Sequence, residues 1–380
     1  MSVSLIDLSG VPPCACNHGL EGLHKALSEG PDTSIWRPHD NPWLTEICEE
    51  FTRRGQDRLS GIQAGLFLAL GMADQEMVLR KAELPPGEAE GIKARLQKPL
   101  GEYTPADWTH LVQTLVRSHM HPEDLQAQAD WLSFRAFLAG RVAALSDQFP
   151  DWKPVQSLLT LVTRPDQGAA PPLSMKMYRA WDWARDRIGM FLTHMKEATE
   201  FRIRDAISSH IQQHGLSSRA KLQSTLLDTF GALNRDWRRI AITESGEVAN
   251  QAYLGELKHG SKVRRIEHYV GACPFCATLN GQVFIWSDRP LGDSFGWTHI
   301  WPGKTNVGRS MSPRKQTEDG LVERTESELW WPAAGVQHPH CRGRWVVIPD
   351  PKAPPGVDQA FHDWVRSELD NVKLPTPRSG

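Results

Sequence analysis

Cys273-Pro274-Phe275-Cys276 and His338-Pro339-His340-Cys341-Arg342-Gly343 bracket the stretch that decides how this chain is read. Two cysteines separated by two residues form a knuckle whose thiolates can grip one tetrahedral ion. His338 and Cys341 repeat that spacing and offer two further ligands, with His340 competing with His338 for the histidine position. The same residues could instead be buried thiols or a disulfide. Four good donors fill a tetrahedral shell and leave no position for a reacting water, so the expectation is a structural zinc held by Cys273, Cys276, His338 and Cys341 rather than a catalytic one.

Around this stretch the sequence turns strand-like. Val263, Ile266 and Tyr269, then Val283 to Ile285, then Trp345 to Ile348, are short β-prone pieces bounded by Gly and Pro, and Asn280-Gly281 is a tight-turn signal. A small sheet hung on the Cys/His knuckle fits them. Residues 287–337 form a long Gly-, Pro-, Ser- and Thr-rich excursion with Trp297, Trp301, Trp330 and Trp331, expected to be exposed or ordered by a partner.

Upstream the pattern is helical. Residues 1–149 read as a helical domain preceded by an irregular Gly/Pro-rich arm over 1–41. Helices are expected over 42–72 and 73–83. Another starts at Thr104-Pro105, where Thr104 can cap, and a fourth runs from His121 to about Phe149. Five prolines over 150–173 suggest a linker. Ser174 then caps a long helix ending near Gly215, followed by separate helices over 218–230 and 234–257. A last short helix spans about 358–372. The fold expected is mainly α with a small α+β C-terminal domain over 174–350.

The composition is that of a soluble globular protein: 380 residues, 40% hydrophobic and 23% charged. No apolar run is long enough to span a membrane and no export signal is visible, so reduced cysteines are expected. A net charge of −2 conceals an asymmetry. Residues 1–173 carry 15 Lys/Arg against 22 Asp/Glu, and residues 174–349 carry 24 against 18. The basic half includes Arg235, Arg238, Arg239, Lys258, Lys262, Arg264 and Arg265, a candidate surface for DNA or a protein partner. The opposite reading is a solvated helix face. Glu244 has no second carboxylate placed to share acid/base work, and no catalytic set is evident.

The order of a long helix, a helix containing Arg239-Ile240-Ala241-Ile242-Thr243-Glu244, the Cys273–Cys276 knuckle, Asn280-Gly281 and the closing His338-Pro339-His340-Cys341-Arg342 resembles the Mu F-like phage minor head protein (head morphogenesis) family over about residues 174–350. Members usually follow that Arg with another Cys, where this chain has Gly343, and the insert between the ligand pairs is longer here. The resemblance implies a non-enzymatic virion component, present in the host cytoplasm during assembly. It would act in capsid assembly near the portal vertex, with portal protein, other capsid components and phage DNA as partners. Two other classes are weighed against it: a metal-dependent ββα nuclease using His299, His338 or His340, and a toxin or effector related to head-protein modules.

Overall fold

The computed structural model describes residues 42–70, 103–149, 162, 171–215, 219–267, 269, 271–318, 320–350 and 358–371. The expected arm over 1–41, the helix over 73–83 and nearly all of the 150–173 linker lie outside the described residues. Among the described residues the chain is mainly helical with a small sheet region in its C-terminal part. The helices are α1 (Pro42–Ala69), α2 (Pro105–His119), α3 (Pro122–Gln148), α4 (Met175–His214), α5 (Arg219–Gly255), α6 (Pro274–Leu279) and α7 (Gln359–Asn371). The strands are β1 (Lys262–Ile266), β2 (Val283–Trp286), β3 (His299–Ile300), β4 (Arg314–Thr317), β5 (Gly320–Glu323) and β6 (Arg344–Val347). No helix among them is long and apolar enough to cross a membrane.

Local chemistry sets most helix ends. Thr104 Oγ1 accepts from the Asp107 amide at 3.3 Å while Asp107 Oδ2 accepts from the Thr104 amide at 2.8 Å, a reciprocal cap at the start of α2. Ser174 Oγ accepts from the Met177 amide at 3.3 Å and opens α4, and Gly215 with φ 61° closes it. One expectation fails here. The two helices expected after residue 218 are a single helix, α5, because Leu222, Leu226, Phe230, Leu233, Trp237 and Ile240 carry one buried stripe straight through Gly231. A lone Gly in a helix costs only about 1 kcal/mol, less than one buried apolar side chain contributes.

The chain forms two compact units that do not follow the sequential domains expected from composition. One takes the described residues of Met1–Thr45, Arg135–Tyr178 and Ser245–Gly380; the other takes Glu46–Phe134 and Arg179–Glu244. The boundary therefore falls inside α1, α3, α4 and α5.

The second, all-helical unit packs Phe51 against Trp237 with ring centroids 5.5 Å apart, and Phe134 edge-on to Trp181. Basic residues of α4 are paired within this unit. Arg187 donates to Glu244 at 2.6 and 3.2 Å, and Arg202 to Asp236 at 2.6 Å. Glu244 is thus one half of a buried ion pair.

In the first unit the sheet runs β3-β2-β1-β6, with β2–β3 parallel and the other pairs antiparallel. Alternation along β1 turns Val263 and Arg265 inward and Lys262 and Arg264 outward, opposite Ile285 and Val283 of β2. The inner face buries Val263, Phe284, Trp286, Ile300, Trp345 and Val347 against Tyr253, Leu254 and Leu257. Tyr253 also ties the β6 edge, its hydroxyl accepting from the Val347 amide and donating to Asp147, each at 2.7 Å.

The excursion over 287–337 is tied together by contacts among its own residues. Asn306 brackets Trp331 through its amide and carbonyl at 3.0 and 2.9 Å, and Trp331 Nε1 donates to Thr305 O at 2.9 Å. The Lys304 ammonium is buried between Trp301 and Trp331 and donates to the Gly296 and His299 carbonyls. Trp286 and Trp301 are core residues, whereas Trp297 stays exposed.

Candidate metal centre

Two tight local structures present the donors. Cys273 is the N-cap of α6, its sulfur accepting from the Cys276 amide at 3.4 Å, so both sulfurs lie on one side of the first turn. On the other side of the site the Cys341 amide donates to the His338 carbonyl at 3.0 Å, closing a turn in which His340 takes φ 66°. That left-handed residue turns His340 outward, where it is exposed, and leaves His338 facing the thiols. The histidine position therefore belongs to His338.

His338 Nε2 lies 3.3 Å from Cys273 Sγ and 3.1 Å from Cys276 Sγ, and the Cys276 and Cys341 sulfurs are 3.9 Å apart. A tetrahedral ion with bonds of roughly 2.3 Å to sulfur and 2.1 Å to nitrogen spaces its sulfurs about 3.8 Å apart and sulfur from nitrogen about 3.6 Å apart. The four side chains, whose contacts join residues 62 to 65 positions apart, form a Cys/His cluster that could hold a metal ion. Donor atoms of Cys273, Cys276 and His338 lie within 4.8 Å of one another, and Cys276 and Cys341 form a second such set with Glu267. All four cysteines in the described residues, Cys48 included, are free thiols, so the disulfide reading is set aside.

The imidazole is held in one orientation. His338 Nδ1–H donates to the Pro339 carbonyl at 2.7 Å, which leaves Nε2 facing the sulfurs. Trp330 stacks on the ring at 5.6 Å with an 8° tilt, Phe275 meets Trp330 edge-on, and Trp297 meets Phe275 in turn. These rings shield one side of the cluster.

The electrostatics already favour thiolates. Hydrogen bonding from Cys276, reinforced by His338, pulls the Cys273 thiol down to about 4 against the effect of burial. Burial works against a charged Cys341, but the bond with Cys276 and the charges of Arg265 and His338 hold its pKa well below the ordinary thiol range. Cys276, bonded to both other sulfurs, is pushed up and keeps the proton. Burial opposes a charged His338; contacts with Cys273 and Cys341 outweigh it and raise the ring to about 9. A bound cation would take the place of these two protons.

Behind the sulfurs sits a buried ion pair that sequence reading missed. Arg265 Nε donates to Glu267 Oε1 at 2.6 Å, Nη1 to the Gly335 carbonyl at 3.2 Å and Nη2 to Cys341 Sγ at 3.6 Å. Both side chains are fully enclosed. Burial outweighs the pull of Arg265 and leaves the Glu267 carboxyl raised to about 7. Arg265 is therefore not part of a nucleic-acid surface, a correction forced by the parity of β1: it shares the inward face with Val263. Period-two alternation through Val263-Arg264-Arg265-Ile266-Glu267 was the available signal.

Two residues of α5 fasten the second knuckle. Glu247 Oε2 accepts from the Val336 amide at 2.8 Å, and Asn250 Nδ2 donates to the Gly343 carbonyl at 3.0 Å. A Cβ on Gly335 would stand 1.9 Å from Glu247 Oε2, so this position requires Gly. Of the remaining basic residues, Arg235, Arg238 and Arg239 fall in one compact unit and Lys258, Lys262 and Arg264 in the other. Arg239 pairs with Asp236 at 3.0 Å. Lys258, Lys262, Arg264 and Arg235 are exposed.

No protein-family model matches this chain, and no curated protein or solved structure does either.

Proposed function

We propose that the chain is a phage minor head protein acting in head morphogenesis near the portal vertex, and that its Cys/His cluster holds one structural zinc. The observation that carries this reading is the meeting of Cys273, Cys276, His338 and Cys341 beside the end of α5, in the element order on which the resemblance rests. Three thiolates and one imidazole are the donor chemistry that zinc favours, and the set leaves no open coordination position for hydrolysis. Its role is to staple a C-terminal region whose sheet is only four strands wide, with one edge strand of two residues.

Lys262 and Arg264, exposed on the outer sheet face, support a polyanionic or acidic partner: phage DNA or an acidic patch of the portal protein. Salt titration of binding to non-specific duplex DNA separates these, since two phosphate contacts give a slope of about −2 in log K against log salt, and a protein-only surface gives no DNA binding.

The reading is tested by mass spectrometry of purified virions from the phage that encodes the chain, together with co-purification alongside its portal protein. Presence at a few copies per particle supports it. Absence from heads, with normal head assembly when the gene is deleted, overturns it.

A further inference from the structure

We propose that Arg265 is the counter-charge of the thiolate cluster, the residue that keeps it a closed and unreactive centre. The inference rests on the metal-bound reading above. A divalent ion with three thiolates and a neutral imidazole carries one net negative charge, and here that charge lies where water is excluded. Arg265 is bonded to a cluster sulfur, through Nη2 and Cys341 Sγ at 3.6 Å.

The guanidinium is fixed on every side. Its other two donor directions end on Glu267 and the Gly335 carbonyl, and its plane lies over the Trp345 ring at 4.9 Å. A rigid fork of this kind delivers charge and direction together, which an ammonium does not. An N–H aimed at a thiolate withdraws electron density from the sulfur. That weakens it as a nucleophile and slows the protonation by which it would leave a metal. Glu267 is then a positioning residue. Its amide donates to Asn280 Oδ1 at 2.9 Å, and its carboxyl both accepts from Arg265 and lies 3.6 Å from Cys341 Sγ, so it holds the guanidinium against that sulfur.

The competing account is that Arg265 serves only to neutralise Glu267. A double-variant comparison separates the two. Metal release to a chromogenic chelator, and cysteine alkylation followed by mass spectrometry, are measured on the full chain. The variants are Arg265→Met, Glu267→Gln, the combination of both, and Arg265→Lys. Counter-charge predicts release about 10-fold faster or more in Arg265→Met. It predicts the same fast release in the combined variant, and Glu267→Gln close to wild type. Return of the combined variant to the wild-type rate overturns it, because the ion pair alone would then explain Arg265.

Where Arg265→Met fails to fold, Arg265→Lys and Glu267→Gln decide. The Lys variant should alkylate at Cys341 faster than wild type, and release metal moderately faster than wild type, while Glu267→Gln stays close to wild type. Wild-type-like alkylation and release in both variants overturns the proposal. Wild-type protein that carries no metal as purified refutes the zinc reading itself, a result read from metal content rather than from these rates.

Discussion

Gly343 lies so close to Glu267 that a Cβ built on it would stand 2.1 Å from the carboxyl carbon. The position at which the resemblance expects another cysteine is thus filled by the carboxylate of the residue that follows β1. No side chain fits between them, and the Gly343 carbonyl is in turn held by Asn250. Gly343→Ala must displace Glu267 and disturb its bond to Arg265, an overpacking error costing about 1–3 kcal/mol. Denaturant unfolding of Gly343→Ala, Glu267→Ala and the double variant checks this. The double should lose less than the sum of the singles, and strict additivity would sink the contact argument.

Metal content gives the second prediction. Protein purified without added metal should carry about one zinc per chain, absent from Cys276→Ser and Cys341→Ser and retained in Cys48→Ser. Cys48 is buried in the helical unit, where its sulfur donates to the Ala241 carbonyl at 3.4 Å, far in sequence from the cluster. Chelation should lower the melting temperature of wild type and leave the two cluster variants unmoved. Equal zinc in all four proteins would show the ion to be held elsewhere.

The ion pair of Arg187 and Glu244 gives the third. Glu244 is almost wholly enclosed, and its carboxylate accepts two bonds from one guanidinium. Glu244→Ala strands that guanidinium and should destabilise the protein by about 3 kcal/mol, whereas exposed surface pairs rarely exceed about 1. A loss of under about 1 kcal/mol in chemical denaturation would mean that Arg187 finds water instead.

A pH dependence follows from Glu328. Its carboxylate accepts from Lys315 and from the Thr325 amide and hydroxyl, contacts that lower its pKa to about 2 from 4.5. A depressed carboxyl stabilises the fold above pH 4.5, and that contribution is lost as pH falls toward about 2. Carbon-detected NMR titration of the Glu328 carboxyl should show a midpoint well below 4.5. A midpoint at or above 4.5 would mean that these contacts do not persist in solution. Both side chains are about one-third exposed, so added salt should raise the midpoint.

The cap of α2 gives a local prediction. Thr104→Ala removes the acceptor for the Asp107 amide at an exposed site and should cost about 1 kcal/mol, with Thr104→Ser close to neutral. Equal losses in the two variants would show that the hydroxyl is not the cause.

The sequence by itself determined most of the helices, the strands β1, β2 and β6, and the identity of the donors. Thr104, Ser174 and Gly215 mark helix ends through contacts reaching three or four residues, and such contacts are written in the local string. Cys273, Cys276, His338 and Cys341 were legible because ligand chemistry and a two-residue spacing are local too. Only the tertiary structure decided the rest. The choice of His338 over His340 depends on one left-handed residue, and the burial of Arg265 depends on which face of β1 meets Cys341, 76 residues away. Glu247, Asn250 and Glu267 gained their roles when α5, β1 and the second knuckle came together, because a buried charge is tolerated only where its partner arrives from elsewhere in the chain.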